Sequence, residues 1–308
     1  MIEGLSSPIG AHVLVGGGLI KKGLREAGEI GAEAIQFFAG NPRGWKQPSV
    51  DPHDAAAFRT ACADMPVFVH APYLLNFGSP DPAVLENSAQ ALTTIMRRAG
   101  LVGAAAVIVH AGSSVRQELR EHALGRLPQL FAPLLDAAPP GVRLLIEPTC
   151  GGGAALASTV DSTVEYFAAL DDERIGLCID TCHLHAAGED ITTATGLHAV
   201  VSKLTDAIGP HRLDLVHAND SRDPAGSHRD RHETLGKGTL GEDVFRALFT
   251  IPQLHDIPVL VETATNGADV ALLKRLRDEV RQADSPLPDD GSPGVRPAQP
   301  GARPRPVE

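Results

Sequence analysis

The stretch AVIVH at residues 106–110 sets four apolar residues in a row and ends them on a histidine. An uninterrupted apolar run flanked by helical pattern is how a strand buried on both faces reads. The same arrangement recurs as VFVH ending at His70, LLIE at Glu147, GLCID at Asp180, DLVH at His217 and PVLVE at Glu262. Two earlier runs, GAHVLV around His12 and AIQFF ending at Phe38, complete a set of eight. Between them lie helical patterns rich in Ala, Leu, Glu and Arg, near residues 83–100, 117–135, 158–170, 197–208 and 241–249. Strand, loop and helix in repeated alternation predict a (β/α)₈ TIM barrel. A polar residue at the same end of six strands marks the carboxyl-terminal rim, where such barrels carry their chemistry.

Bulk properties agree with a single barrel. The chain has 308 residues, and barrels of about 250 residues are routine. Apolar residues make up 43% and aromatic residues only 4%, which suits a core of Val, Ile, Leu and Ala. The opening MIEGLSSPIG lacks the basic and apolar regions of a signal peptide, and no run approaches the ~18 apolar residues of a membrane span. Cys62, Cys150, Cys178 and Cys182 are few and scattered, which points to a reducing cytoplasm. Cys178 and Cys182 flank Asp180 and read as small apolar fillers. The barrel domain is expected to span residues 1–283. From residue 284 the composition turns to Pro, Gly, Asp and Arg, which predicts a disordered tail over 284–308.

The strand ends also define a candidate metal site, because imidazoles and carboxylates are the groups that bind zinc or manganese. CIDTCH adds His183, three residues past Asp180. SHRDRHETLGKG adds Asp230 and His232, two apart, so that extended backbone would send both to one face. The set is then His70, His110, His183, His217, His232, Asp180, Asp230, Glu147 and Glu262. Nine ligands exceed the needs of one ion and suit a cluster of two or three. The formal charge of −11 argues against a basic surface that grips any polyanion. Bound divalent ions would reverse the local sign, so net charge does not decide the partner.

Several segments together resemble the endonuclease IV type of apurinic/apyrimidinic endonuclease. They are GAHV at 10–13, NPRGW at 41–45, HAPYLLNFGSP from His70, VHAGS at 109–113, CIDTCHLHAAGED from Cys178, HANDSRDPAGSHRDRHETLGKGTLG from His217, and LVET at 260–263. The similarity runs from about residue 10 to about residue 274. The resemblance implies three metal ions, usually zinc, with manganese or iron as possible occupants of some sites. His70, His110 and a bridging Glu147 would hold the first. Glu147, Asp180, His217 and Glu262 would hold the second, and His183, Asp230 and His232 the third. It further implies hydrolysis of double-stranded DNA on the 5′ side of an abasic site, leaving a 3′ hydroxyl, and removal of blocked 3′ ends. Glu262 would orient the nucleophile besides binding metal, and Glu147 would share in catalysis. Arg43, Tyr73 and Leu74 would fill the gap left by the missing base, whereas Trp45 reads as packing. No membrane and no obligate protein partner are implied.

Two departures stand out. The chain has IEPT at 146–149 where IENT is usual, and Leu14 and Val15 where a serine and alanines are usual. These bear on support around the site, not on the ligands. The competing reading is a sugar isomerase or epimerase barrel with one metal, for which Glu147, Asp180, His217 and Glu262 would suffice. A non-catalytic sensor of damaged DNA would have no need of the complete nine.

Overall fold

The structure is a computed structural model, and it describes residues 7–46 and 49–284. Eight parallel strands close into a barrel: β1 (Ile9–His12), β2 (Ala34–Phe38), β3 (Val67–His70), β4 (Ala106–His110), β5 (Arg143–Glu147), β6 (Ile175–Asp180), β7 (Leu213–His217) and β10 (Val259–Val261). Around it lie α1 (Arg25–Glu29), α2 (Pro52–Ala61), α3 (Pro82–Val102), α4 (Arg120–Asp136), α5 (Val160–Leu170), α7 (Ala194–Ile208), α8 (Glu242–Leu248) and α9 (Asn266–Asp284). The expected barrel is therefore present, and its strands end where the apolar runs end except at β1, which stops at His12 although the run GAHVLV continues to Val15.

Local signals explain the boundaries. Asp81 accepts from the backbone N–H of Ala83 and Pro82 opens α3, while Gly103, at φ +71°, closes it in the left-handed conformation. Thr159 and Ser162 cap each other reciprocally at the start of α5. Among the described residues no helix is long and apolar enough to cross a membrane. The helix α9 runs to Asp284, so the tail expected over 284–308 lies, apart from that residue, outside the described residues.

Two connections differ from a plain strand–helix alternation. After β6 the chain makes a short buried helix, α6 (Thr181–Ala187), before α7. After β7 it makes a two-stranded antiparallel ribbon, β8 (Asp220–Ser221) with β9 (His232–Glu233). Both additions lie on the carboxyl-terminal side and carry ligand candidates. The buried Asp220 carboxylate anchors the ribbon by accepting from the backbone N–H groups of Ser221, Gly236, Gly238 and Leu240 at 2.8–3.0 Å. Gly238 makes this possible, since a Cβ there would sit 2.4 Å from Asp220 Oδ1 and from the Ser221 carbonyl oxygen.

Candidate metal centre

The barrel interior is filled by Ala34, Phe68, Ala106, Ile108, Leu145, Cys178, Leu215 and Leu260. Side chains alternate along a strand, so the residue two further on points the same way, one layer nearer the rim. Counting two from each strand's interior residue lands on Gln36, His70, His110, Glu147, Asp180, His217 and Glu262. On β1 the corresponding residue is His12. Below it stands Gly10, where an added Cβ would lie 1.6 Å from the Ala34 carbonyl oxygen of β2. Strand register sets these residues side by side: His12 against Gln36, His110 against Glu147, Asp180 against His217.

All nine expected ligands meet in this layer or immediately above it. Glu147, 1% exposed, lies at the centre. Its Oε2 is 3.1 Å from His70 Nε2 and 3.5 Å from His110 Nε2. Its Oε1 is 3.2 Å from His217 Nδ1. That same nitrogen lies 3.5 Å from Glu262 Oε2 and 4.0 Å from Asp180 Oδ2. Asp230 Oδ2 lies 3.3 Å from His183 Nε2 and its Oδ1 2.9 Å from His232 Nε2. Glu147 thus turns one oxygen to His70 and His110 and the other to His217 and to His183 Nδ1, the latter at 3.3 Å. His70–His110–Glu147 and His183–Asp230–His232 each bring their donor atoms within 4.8 Å of one another.

The rings are held from behind. His70 Nδ1 lies 2.7 Å from the Ala71 carbonyl, His183 Nδ1 3.0 Å from that of Pro148, and His232 Nδ1 3.1 Å from that of Glu262. A carbonyl only accepts, so each Nδ1 carries hydrogen, and in the neutral ring each Nε2 turns its lone pair toward a carboxylate. Lone pair facing lone pair is repulsive unless a cation or a proton lies between them. His232 Nε2 illustrates this: it is buried and makes no hydrogen bond even though Asp230 Oδ1 is 2.9 Å away. Imidazoles anchored through the far nitrogen are the usual setting of a metal ligand. Among the described residues every ion-pair partner of Glu147, Asp180, Asp230 and Glu262 is a histidine. The donor set fits divalent ions.

Titration behaviour reflects the same crowding. Burial raises the Glu147 carboxyl, but His217 and His110 outweigh it and hold the group well below the usual carboxylate range. Burial lifts Asp180 above its ordinary value. The His110 imidazole is pushed down by burial to about 4. Burial opposes the charge on His232 as well, yet Asp230 and Asp180 raise it to about 9. The Cys178 thiol is driven by burial to about 12, and burial raises Cys182 too. Cys178 lies in the barrel interior and Cys182 on α6, and their thiols come close to Glu147 and His217 and to Asp180 and His232 respectively.

The residues expected to contact DNA stand on the rim. Tyr73 is 52% exposed, its ring 5.6 Å from His110 and 5.2 Å from Phe38. Its backbone N–H donates to the Pro42 carbonyl at 3.0 Å, which ties its loop to that of the exposed Arg43. Leu74 is half-buried beside it. Trp45 lines a groove with Asn87, Gln90 and Thr94 on the flank of α3, away from the ligands. An opening of about 370 Å³ beside the cluster is lined by His12, Leu14, Phe38, Tyr73, His232 and Glu262. The departure at Leu14 therefore faces the mouth of the site. Pro148 contributes only its carbonyl to His183, which any residue there would supply.

Three polar residues of the centre were not anticipated from the sequence: Gln36, His12 and Asn219. Gln36 Nε2 is 2.6 Å from Glu262 Oε1 and its Oε1 2.8 Å from His217 Nε2. His12 Nδ1 is 3.5 Å from Glu262 Oε1. Asn219, fully buried, donates to Asp180 Oδ2 at 2.7 Å and to Glu262 Oε2 at 3.3 Å, and accepts from the Glu262 backbone N–H. The same count along β1 and β2 would have found His12 and Gln36.

Comparison with known proteins narrows this arrangement to a family. Residues 24–282 match a family model described as Xylose isomerase-like TIM barrel. The chain is 46% identical to a probable endonuclease 4 of Streptomyces coelicolor over 88% of its own length and 96% of the relative's. A probable endonuclease 4 of Methanoculleus marisnigri is 38% identical over 88% of this chain and 98% of its own length. The crystal structure of endonuclease IV from Thermus thermophilus superposes with a TM-score of 0.73 at 31% identity, covering 90% of this chain and 99% of that one. A D-tagatose 3-epimerase-like protein, at 19% identity and a TM-score of 0.68 over 90% of this chain and 97% of its own, shares the barrel alone. Identity of 38–46% to probable endonucleases over 88% of the chain, on a barrel whose rim gathers the nine expected side chains, leaves one assignment: the chain belongs to the endonuclease IV family.

Proposed function

We propose that this protein is an apurinic/apyrimidinic endonuclease that hydrolyses the phosphodiester on the 5′ side of an abasic site in double-stranded DNA, leaves a 3′ hydroxyl, and also clears blocked 3′ ends. The observation that carries this reading is the shared carboxylate of Glu147, with His70 and His110 at one oxygen and His217 and His183 at the other, beside the His183–Asp230–His232 group. In this reading His70, His110 and Glu147 hold one ion. Glu147, Asp180, His217 and Glu262 hold a second, and His183, Asp230 and His232 a third. Zinc suits the mixed nitrogen and oxygen donors, and manganese or iron could replace it at some positions. When bound, the ions supply the positive charge that phosphodiester hydrolysis needs on nucleophile, phosphate and leaving oxygen.

The chain's own residues do the rest. Glu262, held at both oxygens by Gln36 and Asn219, is fixed to orient the attacking water. Glu147 keeps its charge despite burial, because the surrounding imidazoles favour the carboxylate. An abasic nucleotide costs little to extrude, as no base must be unstacked. Tyr73 lines the mouth, and with Leu74 beside it and Arg43 on the adjoining loop it would occupy the space left in the stack. Four cysteines without disulfides suit a cytoplasmic setting.

The test is elemental analysis of the purified protein alongside incubation with a duplex bearing one abasic site. About three ions per chain and incision on the 5′ side are expected. A ratio near one, with isomerisation of a ketose and an intact duplex, would overturn the proposal.

A further inference from the structure

We infer that Gln36 is a positioning residue of the metal centre, whose amide selects the nitrogen of His217 that faces the ligand cluster and holds Glu262 in register with it. The inference rests on the metal-binding reading above. It starts from an asymmetry among the histidines. His70, His183 and His232 are anchored by backbone carbonyls, which the fold provides whatever the residue. His217 is anchored by a side chain, so its ring depends on the identity of residue 36.

Gln36 is fully buried on β2 and touches three groups. Its Nε2 lies 2.6 Å from Glu262 Oε1 and 3.0 Å from His12 Nδ1, and its Oε1 lies 2.8 Å from His217 Nε2. An ionised carboxylate only accepts hydrogen bonds, so the amide nitrogen must be the atom facing Glu262. The amide oxygen then faces His217, and since it too only accepts, His217 must carry hydrogen on Nε2. In the neutral ring the lone pair is left on Nδ1, the nitrogen 3.2 Å from Glu147 Oε1 and 3.5 Å from Glu262 Oε2. The second amide hydrogen goes to His12 Nδ1, which must accept it. Reversing the amide would set oxygen against carboxylate and deprive His217 of its acceptor. The orientation is therefore determined twice over, and one side chain aligns two ligands of the same ion.

Full-length wild type, Gln36→Met and Gln36→Glu, stripped of metal, are titrated with zinc against a chromophoric chelator. Met has the reach of Gln without its hydrogen bonds, and Glu keeps the size but, when ionised, cannot donate to Glu262 and sets a like charge beside it. Both variants should lose about 10–100-fold in affinity at one zinc step, keep the other steps, and melt within a few degrees of wild type. In zinc-loaded wild type, nitrogen-15 spectra of the imidazoles should show His217 with its hydrogen on Nε2 and protected from exchange, and Gln36→Met should lose that protection. Unchanged zinc steps in folded variants would overturn the inference, as would equal weakening at every step with a lowered melting temperature. Should Gln36→Met not fold, Gln36→Glu carries the same comparison. A wild type that takes up no zinc would sink the proposed function as well, which separates the two failures.

Discussion

At the amino-terminal end of the barrel partly buried acids face arginines; in the ligand layer at the carboxyl-terminal end the buried acids face histidines. Below, Arg143 Nη1 lies 2.7 Å from Asp214 Oδ1, and Arg277 Nη1 lies 2.6 Å from Glu33 Oε2. Arg212 caps the Ile175 and Asp172 carbonyls at 2.9 and 2.8 Å. The arginines need no proton to do this, because guanidinium is charged at any ordinary pH. Above, Glu147, Asp180 and Glu262 are gathered with imidazoles that neutralise them only by taking up protons or by sharing a cation. One end of the fold holds charge to stabilise the molecule. The other holds charge that remains to be used, and the division follows the general partition of barrels into a stability face and a catalytic face.

The sharpest way to break this contrast is Glu262→Gln. It keeps the shape and removes the charge, so incision should fall on the order of a hundredfold or more while the fold persists. Near-normal turnover, measured on an abasic duplex, would remove Glu262 from its role and blur the two ends. Arg277→Met tests the opposite end. Glu33 is about a third exposed, so the loss should be smaller than for a fully buried pair, about 1–3 kcal/mol in chemical denaturation, with zinc content and incision per folded molecule unchanged. A variant that kept its stability but lost zinc would reverse the assignment of the ends.

Tyr73→Ala probes the rim itself. The ring is half-exposed above His110, where stacking on unpartnered bases is worth roughly 1–3 kcal/mol in single-strand binders. Discrimination between abasic and intact duplex should weaken more than removal of a 3′ blocking group, which needs little opening of the helix. Equal losses on both substrates, with a lower melting temperature, would make Tyr73 a packing residue.

The smallest effect is expected at Asp214. Burial raises its carboxyl to about 6 despite Arg143, and Oδ2 has no hydrogen-bond partner. The folded state then binds this proton more tightly than the unfolded chain does. Its contribution is fully favourable below about pH 4 and is lost as pH rises toward 6. Asp214→Asn should flatten that part of the melting-temperature profile and leave metal binding alone. Superimposable profiles would show that Arg143 already satisfies the charge.

What could be read from the chain alone follows from local rules. A buried parallel strand needs an apolar run, and a run that stops on His, Asp or Glu shows which end carries chemistry, so AVIVH, VFVH, LLIE, GLCID, DLVH and PVLVE were legible one at a time. CIDTCH and DRHETLGKG were legible because their residue order is specific, and the helical pattern near 83–100 fell inside α3, whose ends are set by Asp81 and Gly103. Other features needed the closed barrel. The sharing of Glu147 between two groups, the ribbon that brings His232 over Asp180, and the placement of Gln36, His12 and Asn219 all depend on which strands meet across the mouth. Strand alternation is a property of neighbours in sequence, but contacts across a barrel are set by closure and stagger, which no single strand encodes. A glutamine in AIQFF looks like any polar residue in a strand until β1, β7 and β10 close around it.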